Sequence, residues 1–507
     1  MNGELTQWSG PEGLPRFDLI ADGDFAPVVD AELTAAEAAH DAIATNPAAP
    51  DFANTLAAME VADEGLNRVL SVFYTLAGVD SNPAREALQR DFAPKLAAYG
   101  SRISMDARLY SRVQAVADAG GLSPEDARLV ELSLRGFRRA GAGLTGADRD
   151  RMAAIRSRMA VLTTQFSQNV LADERDYVLP VTDDGLAGLP DWLVRAMAAA
   201  ARERGQDGHV VTLSRSLIVP FLEYATDRAL REVAFRAWAA RGSGRGAGGA
   251  ATDNGAIIAE ILSLRHERAR LLGYDDFAAY KLDPEMAGNA ERVEDLLMAV
   301  WKPAKARAAE DQAALTDMLR ADGVNGALEP WDWRHYAERR RRAEHDLDES
   351  EIKPYLTLNA MLGAVFDTAN RLFGLEFQPF DAPLWSRDAR AWRVTRNGRL
   401  MAIFVGDYFA RPGKRSGAWC STLQKQHGMG AGQRPIVVNV CNFTPPDAQD
   451  APAFLSWDDA KTLFHEFGHA THHILSDVTW PSLSGTSVSQ DFVELPSQLY
   501  EHWLDQP

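Results

Sequence analysis

Two imidazoles four residues apart, with a carboxylate beside the first, stand out in this sequence: His465-Glu466-Phe467-Gly468-His469. On a helix, positions i and i+4 share one face, so both rings can grip a single metal ion. Zinc accepts nitrogen and oxygen donors in this arrangement, and Glu466 would then lie beside a zinc-held water as a general base. Catalytic zinc keeps three protein ligands and one open position, so a third donor is required. The residue six positions after His469 is Leu475, and His472 stands where a three-histidine pattern has glycine, which excludes that version. A downstream carboxylate is the other solution, with Asp477, Asp491, Glu494, Glu501 and Asp505 as candidates. Glu494 is favoured, because the loop containing Leu483-Ser-Gly-Thr486 lets a second helix fold back against the first. Asp477 is too close to His469 to turn back easily. His473 is also at i+4 from His469, but it and His472 are expected to sit outward or in support. Asp491 is expected either to hold a ligand imidazole in its tautomer or to cap a helix.

The elements that must position these groups are mostly helices. Leu463, Phe464, Phe467, Ala470, Ile474 and Leu475 supply a buried stripe around the histidines, and Asp458 or Asp459 marks the helix start. Helical spacing of apolar residues also predicts helices over 51–78, 84–97, 124–139, 146–171, 227–240, 254–271, 291–320, 333–346 and 357–373. Strand signal is concentrated in Trp392-Arg-Val394 and Leu400–Val405, which flank the hairpin dipeptide Asn397-Gly398, and in Pro435–Phe443. A small, mostly antiparallel sheet is therefore expected just before the last helices. The glycine-rich run Arg241–Ala250 lacks the Gly-Lys-Ser/Thr ending of a phosphate loop and reads as a helix–helix connection. The cluster Arg339–Arg342, followed by Glu344, Asp346, Asp348, Glu349 and Glu351, reads as a solvated helix end whose charges neutralise one another.

Composition narrows the function classes. The chain has 507 residues and a formal net charge of −18. That acidic balance excludes a phosphate-tracking nucleic-acid binder as the first expectation. Two cysteines, Cys420 and Cys441, cannot build a disulfide framework and are expected as small core residues. No signal-peptide pattern and no long uncharged apolar run is visible, so a cytoplasmic protein without a membrane partner is expected.

Thr462-Leu-Phe-His-Glu-Phe-Gly-His469, Ser484-Gly-Thr486 and Asp491-Phe-Val-Glu-Leu-Pro-Ser-Gln498 together resemble the thimet oligopeptidase family of zinc peptidases. The resemblance extends to Pro50–Thr55, Ala93–Leu96, Trp331-Asp-Trp333, Tyr408–Arg415 and Cys441–Pro446. The wording of Asp491–Glu494 and Glu501-His-Trp503 is most similar to the bacterial peptidyl-dipeptidase branch, with oligopeptidase A as the near alternative. The resemblance implies a mainly α fold, a large two-lobed helical body with a deep channel and a small antiparallel sheet beside the zinc site. An N-terminal helical region over 1–250 and a catalytic region over 251–507 are expected. It further implies one Zn2+ per chain on His465, His469 and Glu494, Glu466 as general base, and short peptides as substrates. Backbone groups near Cys441 and Asn442 are expected to pair with an extended peptide. Family members continue past the Pro-Ser-Gln helix with a Gly/Tyr-rich loop that contacts substrate, whereas this sequence stops at Pro507. The resemblance thus implies an incomplete catalytic region, reduced turnover and a complementing C-terminal fragment as a partner. The competing expectation is a non-catalytic peptide-binding remnant.

Overall fold

The computed structural model describes residues 3–345, 352–411, 413–443, 445–446 and 451–506. The chain divides into two compact units, one formed by Met1–Leu144 with Glu349–Pro507 and the other by Thr145–Asp348. Residue 250, the expected boundary, falls inside the second unit. The fold is mainly α, as the sequence predicts. No described helix is long and apolar enough to cross a membrane.

The first unit begins with α1 (Phe25–Ala44), α2 (Ala58–Ala62), α3 (Glu64–Val79), α4 (Pro83–Ser104), α5 (Ala107–Ala119) and α6 (Pro124–Ala140). The second unit holds α7 (Gly146–Asp176), β1 (Leu179–Val181), α8 (Asp191–Glu203), β2 (His209–Val211), α9 (Arg215–Tyr224), α10 (Arg228–Ala239) and α11 (Gly255–Leu271). It ends with α12 (Phe277–Leu282), α13 (Ala290–Ala321) and α14 (Pro330–His345). The chain then returns to the first unit as α15 (Leu358–Phe373), β3 (Leu375–Phe380), β4 (Arg390–Arg396), β5 (Arg399–Phe409), β6 (Trp419–Gln424), β7 (Ile436–Phe443), α16 (Trp457–Ile474) and α17 (Leu495–Glu501).

The sheet that carries the candidate site has the order β3-β4-β5-β7-β6. Asn397 and Gly398 both take positive φ, 52° and 73°, which closes the β4–β5 hairpin in the turn that matches strand twist. The sheet is mixed rather than antiparallel throughout, because β5 and β7 pair in parallel. The physical reason is β6. Its sequence, Trp-Cys-Ser-Thr-Leu-Gln, lacks a β-branched run, yet it takes the sheet edge and returns β7 antiparallel into the middle. Both faces of β7 are buried. Ile436, Val438 and Val440 pack with Phe25 and Phe73 of α1 and α3, while Val437, Cys441 and Phe443 pack with Phe464 and Phe467 of α16. Two-sided burial explains why β7 reads as an unbroken apolar run.

In the second unit the glycine-rich run closes around a buried acid. Asp173, at the end of α7, accepts hydrogen bonds from Gly242 N and Gly248 N at 2.7 Å each and from Thr252 Oγ1 at 2.9 Å. A Cβ on Gly246 would collide with the Asp173 carboxylate, so the loop needs glycine for close approach. The arginine cluster in α14 is neutralised within its own unit. Arg339 pairs with Asp322, Arg340 with Asp311 at 2.9 Å, and Arg342 with Glu338 at 2.7 Å. Asp346, Asp348, Glu349 and Glu351 lie outside the described residues.

Candidate active site

The helix that presents the histidines is fixed at its start by a capping box. Ser456 Oγ accepts from Asp459 N, and the Asp459 carboxylate accepts from Ser456 N, both at 3.0 Å. From there α16 buries Leu463, Phe464, Phe467, Ala470 and Ile474 against the sheet. His465 and His469 share a face, with ring centroids 5.0 Å apart.

The second helix crosses α16 at backbone contact. A Cβ on Gly468 would lie 2.6 Å from Ser497 Cα and 2.8 Å from Pro496 O. Tyr500 anchors α17 by donating its hydroxyl to Val365 O at 2.8 Å and by packing on Phe464 and Phe467. This crossing brings Glu494 over the two imidazoles. Its Oε2 lies 3.2 Å from His465 Nε2 and 3.1 Å from His469 Nε2. Ser497 Oγ donates to the same Oε2 at 2.8 Å and to the Glu494 carbonyl at 2.9 Å. The three potential ligand atoms lie within 4.8 Å of one another.

The donor set fits a zinc ion. Glu501 Oε1 lies 2.6 Å from His465 Nδ1 and Lys461 Nζ lies 3.1 Å from Glu501 Oε2. With Glu501 taking up the Nδ1 side of the His465 ring, Nε2 is the nitrogen that faces Glu494. Burial favours the neutral form of His469. Two imidazole nitrogens and a carboxylate oxygen thus face one another, and a cation between them turns repulsion into ligation. Nitrogen and oxygen donors in a set of three, with a position left open, match catalytic zinc.

Glu466 is buried beside this cluster. Burial raises its pKa to about 7, with Glu494 adding to the shift and His465 opposing it. Its Oε2 has no hydrogen-bond partner among the described residues. A carboxyl group with a pKa near neutrality can both accept and return a proton.

The other expected residues divide. Asp491 holds neither imidazole at Nδ1. Glu501 occupies that place on His465, and His469 Nδ1 has no hydrogen-bond partner among the described residues. Glu501 lies seven residues after Glu494, two helical turns on, and that spacing was the available signal for it. His473 turns away from the cluster, with its Nε2 3.3 Å from Thr486 Oγ1 and its ring against Gly485. Burial drops its pKa to about 4. His472 packs near the Phe492 ring and also stays outside the cluster. Burial pushes both cysteine thiols up, with the Glu466 charge adding to the effect, so neither is an activated nucleophile. The Cys441 side chain is buried in the core, and the Asn442 amide donates to Arg415 O at 2.8 Å and Gly417 O at 2.6 Å. β5 and β6 flank β7 in the sheet, with the β6 ladder reaching Val440, and no strand among the described residues pairs with the outer edge of β6.

The profile of Peptidase family M3 matches residues 221–507. The chain belongs to peptidase family M3. Dipeptidyl carboxypeptidase of Escherichia coli (strain K12) is 38% identical over 521 residues, covering 100% of this chain and 75% of that protein. The protein of the same name from Salmonella typhimurium is 37% identical over 513 residues, covering 99% of this chain and 74% of its own length. Oligopeptidase A of Salmonella typhimurium is 31% identical over 503 residues, covering 97% of this chain and 74% of that protein. M3 proteins are metallopeptidases that cleave peptides, which agrees with a donor cluster beside a buried carboxyl group.

Proposed function

We infer that this M3 protein is a zinc peptidase that releases dipeptides from the C-termini of short peptides. The observation that carries the reading is the convergence of His465 Nε2, His469 Nε2 and Glu494 Oε2 next to the buried, unpartnered Oε2 of Glu466. His465, His469 and Glu494 would hold the ion, and all the reacting groups fall within 251–507. When bound, zinc supplies polarisation of the scissile carbonyl and acidification of water.

The chain's own residues do the rest. Glu466 takes a proton from the attacking water at its carboxylate and returns it to the leaving amine. Glu501 keeps the His465 proton on Nδ1, so that Nε2 remains a donor. Ser497 fixes the rotation of Glu494. The open edge of β6 offers backbone donors and acceptors to an extended peptide, which sets its carbonyl over the histidines.

Dipeptide release is preferred over internal cleavage because the two dipeptidyl carboxypeptidases are 38% and 37% identical, against 31% for oligopeptidase A. Product analysis on an N-blocked hexapeptide distinguishes them. Sequential dipeptides from the C-terminus are expected, and a single internal cut independent of the C-terminus would favour the oligopeptidase reading.

A further inference from the structure

A groove of about 680 Å³ in the first unit runs along β6 on the side away from α16. One wall is the face of α2 and α3 that carries Glu60, Glu64, Ser71 and Tyr74, and the other is β6 with Lys425 just beyond its end. Among the described residues no strand pairs with the outer edge of β6, so an extended peptide added there would lie along this groove.

The charges in the groove are unequally satisfied. Glu64 is paired with Arg68 at 2.5 Å. Asp63 accepts from Tyr99 and faces His40, and Glu60 accepts from Ser482 N at 3.0 Å. Each acid therefore has a donor of its own. Lys425 is different. Among the described residues its hydrogen-bond partners are neutral oxygens, Ser487 Oγ at 3.3 Å and Pro481 O at 3.5 Å, and no carboxylate is in ion-pair contact, although the Glu60 charge reaches it. Those oxygens orient the charge without cancelling it.

We propose that this groove is an anion subsite in which Lys425 binds a carboxylate of the peptide four to five residues from the scissile bond. The proposal rests on the reading of the chain as a peptidase that receives its substrate along β6. The spacing follows from strand geometry. Cys420 lies in β6 within electrostatic reach of Glu466, and Lys425 is five residues further on, past an irregularity at Thr422–Gln424 and just beyond the strand end, so at most roughly 16 Å away at ~3.3 Å per residue. An extended peptide covers that length with about five residues. The carboxylate is an acidic side chain, because the C-terminus of a peptide that loses a dipeptide lies only two residues beyond the scissile bond.

The test is calorimetric binding to the zinc-loaded full chain carrying Glu466→Gln, which prevents turnover. The probes are alanine-based octapeptides in which one Glu, or one Gln, is moved a position at a time. One Glu register is expected to bind about 5- to 10-fold tighter than its Gln twin, in line with a charge-assisted hydrogen bond. Lys425→Gln should erase that ratio while leaving the Gln peptide's affinity unchanged, and Lys425→Arg should keep it. A Glu/Gln ratio of one in every register, or a ratio untouched by Lys425→Gln, overturns the proposal. Cleavage of the all-alanine peptide by the wild-type chain is scored separately, so failure of the subsite and failure of the peptidase reading give different results.

Discussion

At the scale of single residues, the candidate site is a set of acceptors that need a cation. Glu494 Oε2 faces two imidazole nitrogens at 3.1–3.2 Å, and Glu501 decides which nitrogen of His465 is available. Glu501→Gln keeps an acceptor for Nδ1 but removes the charge that makes the ring a better donor. Zinc affinity is expected to fall about 10- to 100-fold, read by competition with a chelator, while the fold is retained. Unchanged affinity would mean that Lys461 already cancels Glu501. Much of this scale was legible in the sequence. His465 and His469 follow from helical spacing, and Glu494 was favoured because of the loop before it. Asp491 stands in the sequence as either an imidazole partner or a helix cap, and the seven-residue spacing of Glu494 and Glu501 points to Glu501 only once the rotation of α17 about its axis is known. Tyr500 and Gly468 set that rotation, and both act through tertiary contact.

At the scale of elements, the crossing of α16 and α17 is the feature that assembles the site. Gly468→Ala would put a Cβ 2.6 Å from Ser497 Cα and push the helices apart. Overpacking of this kind costs about 1–3 kcal/mol, so a lower melting temperature is expected together with a larger loss of zinc binding. A variant that melts lower but binds zinc normally would show that Glu494 follows the helix without depending on the close approach. The glycine-rich run is a second element whose meaning came only from the fold. Its glycines bring backbone N–H groups onto Asp173, which is fully buried. Asp173→Ala strands those donors, and a loss of about 3–5 kcal/mol is expected, seen as selective proteolysis within Thr145–Asp348. Periodicity gives helices over 146–171 and 254–271, against 146–176 and 255–271 in the structure, but not the partner of the loop, since Asp173 precedes Gly242 by 69 positions. For the same reason β6 was missed. A six-residue strand with a single β-branched residue is specified by its neighbour β7 rather than by its own propensity.

At the scale of the whole molecule, acid sensitivity follows from buried neutral histidines in both units. Burial lowers His335 in α14 and His473 in α16 to about 4 each. The unfolded chain holds these protons below its pKa of about 6.5, so between pH 6.5 and 4 it binds more protons than the folded state. Stability is therefore full above pH 6.5 and declines as the pH falls toward 4, by at most about 3 kcal/mol for each group. Thermal melts of wild type and His335→Gln across that range should show a shallower pH slope in the variant. Equal slopes would place the acid sensitivity elsewhere. The mainly α architecture was legible from composition and periodicity. The division into units was not, because the first unit is built from both ends of the chain and contact between distant segments leaves no local pattern.

The central claim is that Glu466 transfers protons beside a zinc ion held by His465, His469 and Glu494. Its most direct test measures zinc content and hydrolysis of an N-blocked peptide for the wild-type chain and for Glu466→Gln, prepared alike. One zinc per chain in both is predicted, with hydrolysis lower in the variant by a factor on the order of 10²–10⁴. Equal hydrolysis by the two proteins at equal zinc content would contradict the account.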